Sequence, residues 1–161
     1  MVYGAINERG EPWYTRMSRV FEAIRRRQLH CNWLISDIDC VPRNVEERCC
    51  SSRYCWLTGE ELTHCIEEDD GQWVWAVLSG FSPDISLSEI LRYPLPYADG
   101  YPGFWMSPLS MQHPLASIEI VPWDSSLTLL FSTQAELVED FLGFFPFSEE
   151  LSAYIARQER T

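Results

Sequence analysis

The chain contains no lysine; all 12 of its basic residues are arginine. That absence excludes lysine Schiff-base chemistry, covalent attachment of pyridoxal phosphate and a P-loop lysine. No apolar run approaches the ~18 residues of a membrane-spanning helix. The stretch Met1 to Tyr14 has no apolar core of a secretory leader, so a cytoplasmic protein is expected. The Gly-x-Ser-x-Gly elbow, the His-Glu-x-x-His zinc pair and the Gly-rich dinucleotide fingerprint are all missing, and no cofactor is expected. There is no internal repeat and no low-complexity linker.

What is present is an ordinary globular composition. The 161 residues are 46% apolar and 22% charged, which predicts a single domain spanning 1–161 and leaves little room for disorder. Charge is distributed unevenly. Residues 1–53 hold nine arginines against seven carboxylates, whereas residues 54–161 hold three against 17. A body with net charge −12 repels nucleic-acid phosphates and anionic membrane. It attracts a basic protein partner, and it also favours solubility. Arg25, Arg26 and Arg27 form the one basic run. They read as a solvated cluster at the end of a helix, with a phosphate-binding patch as the alternative.

Hydrophobic spacing predicts the elements. Pro12 suits a first helical position, and Met17, Val20, Phe21 and Ile24 recur at helical intervals, giving an amphipathic helix of about four turns that ends near Leu29. Cys31 to Asp39 reads as a strand with Trp33, Ile35 and Asp37 on one face and Leu34 and Ile38 on the other. Residues 43–53 read as a loop and Arg53 to Leu57 as a short strand. Thr58-Gly59-Glu60-Glu61 matches a capping box opening a helix. Gln72 to Phe81 is apolar on both faces, the mark of a strand covered on both sides. Ser86 to Glu89 and Thr133 to Glu136 are further capping boxes, with Gly143 placed for a C-terminal cap and Ser148 capping a last helix. Ala116 to Val121 and Leu127 to Phe131 flank a turn and form a hairpin. The expectation is an α+β domain with a mainly antiparallel or mixed sheet of about four to six strands packed with four to five helices.

Residues 93–114 have a different character. They hold five of the ten prolines together with Tyr93, Tyr97, Tyr101, Phe104 and Trp105. Regular structure is not expected there, because proline removes donors and fixes φ; Asp99-Gly100 marks a turn. Rigid aromatics on irregular backbone make good partner contacts. Tyr97, Asp99 and Tyr101 flank the turn and are expected at the surface, whereas Phe104 and Trp105 are also suited to packing back as a lid. With the acidic run Glu67, Glu68, Asp69 and Asp70, these residues form the candidate partner-binding set.

Two further constellations carry possible chemistry. Cys31, Cys40, Cys49, Cys50, Cys55 and Cys65 lie within 35 residues, open to an ordinary reduced state, a metal site or a redox pair. His30, His64 and His113 are the bases a cysteine nucleophile would need. Asp37 and Asp39 alternate on one strand face, as an acid–base or cation-binding pair would; a strand end emerging into solvent is the simpler explanation.

The segments Cys31 to Asp37, Thr58 to Leu62 and Val121 to Leu127, on an acidic, Trp-rich α+β chain, resemble the small bacterial immunity proteins of polymorphic toxin systems and related small bacterial families. The resemblance implies a protein that binds and blocks a cognate toxin and is not an enzyme. The leading expectation is therefore a non-enzymatic cytoplasmic binding protein presenting an acidic, aromatic surface to a basic protein. The alternative is a metal- or redox-responsive domain built on the 31–65 cysteine cluster.

Overall fold

The computed structural model describes residues 1–49 and 53–161. Among these residues seven strands form one antiparallel sheet: β1 (Tyr3–Asn7), β2 (Asn32–Asp39), β3 (Tyr54–Thr58), β4 (Trp75–Phe81), β5 (Ile118–Trp123), β6 (Leu127–Ser132) and β7 (Glu149–Glu150). Their order across the sheet is β3-β2-β4-β5-β6-β1-β7. Six α-helices accompany them: α1 (Met17–Ala23), α2 (Arg43–Glu46), α3 (Gly59–Glu68), α4 (Leu87–Ile90), α5 (Ala135–Phe144) and α6 (Leu151–Gln158), with 3₁₀ turns at Arg27–His30 and Pro102–Trp105. The α+β expectation holds, with one more strand and one more helix than the upper counts. The three elements that the spacing did not announce are short or terminal: β1, α2 and the two-residue β7.

Alternation along the strands sorts the side chains onto two faces. Trp33, Ile35, Leu57, Ala76, Leu78, Ile118, Ile120 and Leu130 point to the face covered by α1, α3 and α5. Val77, Val121, Leu129 and Phe131 point the other way, beneath Ala98, Phe104 and α6. Leu34 and Phe81 meet α4 on that second face. The apolar run ending at Phe81 is thus covered on both sides, as its composition predicts.

Local chemistry explains where elements start and stop. At α3 the Thr58 hydroxyl accepts from the Glu61 N–H and the Glu61 carboxylate accepts from the Thr58 N–H, the reciprocal cap predicted. At α5 the expected cap does not form. The Thr133 hydroxyl is drawn to the Ser117 carbonyl, and the helix starts after Gln134 without a side-chain cap; Gly143 lies inside that helix. Ser148 donates to the Phe145 carbonyl, and α6 begins later, at Leu151.

The long first helix is also corrected. It spans only Met17–Ala23, and Pro12 lies outside it. The chain then passes through left-handed conformations at Arg25 (φ 54°) and Arg26 (φ 60°). No glycine announces this break. Ion pairs support it instead: Asp140 of α5 takes Arg25 at 2.9 Å and Arg27 at 2.7 Å, Glu136 takes Arg27 at 3.3 Å, and Glu67 approaches Arg26 at 4.0 Å. The basic run is therefore neutralised within the fold.

A candidate acidic and aromatic binding face

The second face of the sheet is roofed by the proline- and aromatic-rich segment, and polar side chains rising from the strands hold that roof. Ser36 of β2 donates to the Pro96 carbonyl at 2.8 Å. Asp37 accepts the Ala98 and Asp99 N–H groups at 2.7 and 3.3 Å. Glu119 of β5 accepts the Gln112 and His113 N–H groups at 2.9 and 2.7 Å. A segment rich in proline has few internal N–H donors and forms no regular ladder, so its remaining amides and carbonyls are satisfied from below.

The position of Asp37 departs from strict alternation. The pairing of β2 with β4 shifts register between Ser36 and Asp39, and Asp37 is left-handed (φ 53°). A bulge of one residue exchanges the faces of everything beyond it. Ile38 consequently joins the helix-side core, and Asp37 turns to the roof. Asp37 and Asp39 therefore share the roofed face and not the expected face of Trp33 and Ile35, and Asp37 is committed to two backbone amides.

His113 is fully buried. Its Nδ1 accepts from the Leu115 N–H at 3.2 Å, so Nε2 carries the proton and donates to the Ile90 carbonyl at 2.9 Å. Burial lowers its pKa. The imidazole is thus a neutral brace between α4 and the roof, set edge-on to Phe81 and Tyr93.

At one end of the sheet these ties gather an acidic and aromatic surface. Asp99 is brought to Asp37 by the shared amide bond. Asp39 pairs with Trp75, and Trp75 pairs with Trp123 across the sheet, their rings 4.8 Å apart. Asp124 follows Trp123 in a hairpin turn where Asp124 and Ser125 both have positive φ, matching the twist of the strands. Asp37, Asp39, Asp99 and Asp124 take part in none of the ion pairs among the described residues. A row of rings leads away from them: Tyr97 to Tyr101 at 5.2 Å, Tyr101 to Phe104 at 4.7 Å, Trp105 to Trp123 at 5.3 Å and Trp105 to Tyr154 at 6.1 Å. Beside Trp105 and Tyr154 lies an open cavity of about 430 Å³, lined also by Ile155, Gln158 and Glu159.

No protein-family model, no curated protein and no solved structure matches the chain.

The sequence-based binding set divides in two. Tyr97 is 44% exposed and Asp99 is at the surface. Tyr101 and Trp105 are half-buried. Phe104 is a correction: it is 1% exposed, packed on Phe131 beneath the roof, and cannot touch a partner in this arrangement. The acidic run lies elsewhere, at the end of α3 on the helix-covered face, so the fold does not bring it to the aromatic row. Each member has an internal partner: Glu67 with Arg26, Glu68 with His64, Asp69 with the Gly71 N–H, and Asp70 with the Ser18 hydroxyl and N–H.

The cysteines are dispersed as well. Cys49 and Cys55 form a disulfide, so of the alternatives left open for the cysteines the ordinary reduced state does not hold for these two. Cys50 lies outside the described residues, as do positions 50–52 of the expected loop, whose earlier part is the short α2. Burial raises the pKa of Cys31 and Cys65, and the Asp39 carboxylate raises that of Cys40. Such thiols are poor nucleophiles. Among the described residues no group of three or more His, Cys, Asp or Glu could hold a metal ion, and no helix is long and apolar enough to cross a membrane.

Sequence reasoning missed Glu119, Gln112 and the Trp75–Trp123 pair. Glu119 had a signal: it is a single charge inside the apolar hairpin strand Ile118-Glu119-Ile120-Val121. A charge at a core position is a buried, hydrogen-bonded group by default.

Proposed function

We propose that this protein is a non-catalytic binding protein, acting in the cytoplasm, whose acidic and aromatic face receives a basic protein partner. Its sharpest form is a toxin-neutralising immunity protein. One observation carries the reading: Asp37, Asp39, Asp99 and Asp124 converge, free of ion pairs among the described residues, at the head of a partly exposed row of Tyr and Trp rings. Arg92 is the single basic residue between Tyr54 and Ala156, so this half of the molecule offers a cationic surface little repulsion. The acidic body steers a basic partner in, and the rings anchor it by desolvated contact.

The test begins with a native mass spectrum of the protein purified gently from its source cells, expected to carry the mass of a second polypeptide. With that polypeptide in hand, Asp99→Asn with Asp124→Asn slows association by about tenfold at low salt. Tyr97→Ala and Trp105→Ala speed dissociation. A complex whose rates ignore all four substitutions removes this face as the interface. A bare chain overturns the binding reading itself.

A further inference from the structure

Glu119 is fully buried in the middle of the sheet, yet it is connected to the surface. Its two carboxylate oxygens accept from the Gln112 and His113 N–H groups. The Gln112 side chain then brackets the backbone of Tyr97: Nε2 donates to the Tyr97 carbonyl at 2.9 Å, and Oε1 accepts the Tyr97 N–H at 2.8 Å. Hydrogen bonds at both ends of Gln112 thus connect a carboxylate under the roof to the backbone that carries Tyr97, the most exposed ring of the proposed face.

The groups around Glu119 supply no counter-charge. From β4 it faces Ser79, whose buried hydroxyl has no partner, and from β6 it faces Phe131. From the roof it faces His113, held neutral as described, and the Tyr101 phenol, whose own pKa is raised by burial and then by Glu119. Asp37, which holds the neighbouring stretch of the same loop, is a like charge.

We propose that Glu119 is a positioning residue of the binding face, and that loss of its proton loosens the loop carrying Tyr97 and Asp99. The proposal names a regulation of the site inferred above and rests on that reading for its functional meaning. Burial lifts the Glu119 carboxyl to about 7, against the partial pull of its two amide bonds. A hydrated glutamate titrates near 4.3. The clasped loop therefore binds the proton more tightly than the open loop. The clasp is strongest below about pH 4.3 and weakens as pH rises from there to about 7, where the loss is complete because the carboxyl ionises in both forms.

The experiment is amide hydrogen exchange on the free protein between about pH 4.5 and 8.5, a range that brackets the two pKa values, corrected for intrinsic exchange. In the wild type, protection of the Tyr97 and Ala98 amides falls by up to about tenfold per pH unit, the limit for one proton, between about pH 4.5 and 7, and levels off above 7. In Glu119→Gln it does not vary with pH. In Gln112→Ala the Tyr97 amide loses protection at every pH, while the His113 amide still follows the titration. Wild-type pH dependence at Tyr97 persisting in Glu119→Gln overturns the proposal. Should that variant fail to fold, the same persistence in Gln112→Ala overturns it equally. No partner is present in the measurement, so its failure is separate from failure of the binding reading.

Discussion

The two faces of the sheet are covered by different means. The helix-covered face is closed by packed apolar stripes: Trp33, Ile35, Leu78 and Ile120 meet those of α1, α3 and α5, and its buried polar side chains are uncharged ones such as Gln28, bonded to Thr63, and Thr15, bonded to the Trp73 carbonyl. The roofed face mixes its core with buried polar groups. Ser36, Ser79, His113 and Glu119 all lie there without solvent exposure, and hydrogen bonds to a chain without regular structure do the work of packed helices. A roof held by a few specific bonds is a weaker and more local assembly than a helix layer held by apolar area. It is also the assembly that leaves rings and carboxylates at the surface.

That contrast is open to test, most strongly through one aromatic on each side. Trp33 and Phe104 are both fully buried, and truncation of either to alanine costs about 3–5 kcal/mol. In Trp33→Ala the loss is expected as a lowered midpoint of a single cooperative denaturant transition. In Phe104→Ala, amide exchange in 93–114 is expected to accelerate before that transition. Identical exchange patterns in the two variants would erase the distinction between the faces.

Asp37→Ala tests the roof alone. It removes the acceptor of two amides and is expected to cost about 1–2 kcal/mol, seen as local opening at Ala98 and Asp99 with helix amides unchanged. The smallest effect belongs to the helix layer: Thr58→Ala removes one half of the α3 capping box and should lower stability by about 1 kcal/mol, read as a shift in urea midpoint with no change in the exchange of the roof.

Much of the helix-covered face was legible because its signals are local. Thr58 and Glu61 announce a helix start three residues apart, and the apolar doublet pattern from Trp73 to Phe81 announces two-sided burial. The hairpin around Asp124 was legible for the same reason. What escaped depends on partners distant in the chain. The left-handed break at Arg25 and Arg26 is supported by Asp140 of α5, more than a hundred residues on, and no glycine marks it. The bulge at Asp37 is decided by amides at Ala98 and Asp99, and it reversed the faces expected for Asp37 and Ile38. Of the proposed face, Tyr97, Asp99, Tyr101 and Trp105 were legible from composition. Their grouping with Trp75, Trp123 and Asp124 was not, because only strand order joins them.

The placement of β1 has a consequence for how the molecule comes together. Tyr3 to Asn7 lies between β6 and β7, with Tyr3 opposite Ser132, so a strand from one end of the chain pairs with strands from the other. Such a contact closes a very long loop, and its entropy is spent before the pairing returns anything. Until β1 docks, β6 is an open edge carrying Leu127, Leu129 and Phe131, the kind of edge that pairs with a neighbouring molecule. The order of assembly that avoids edge-to-edge pairing between copies is therefore one in which β1 finds β6 before another copy does. Dilution and a short refolding time favour that order, and crowding of half-folded chains opposes it.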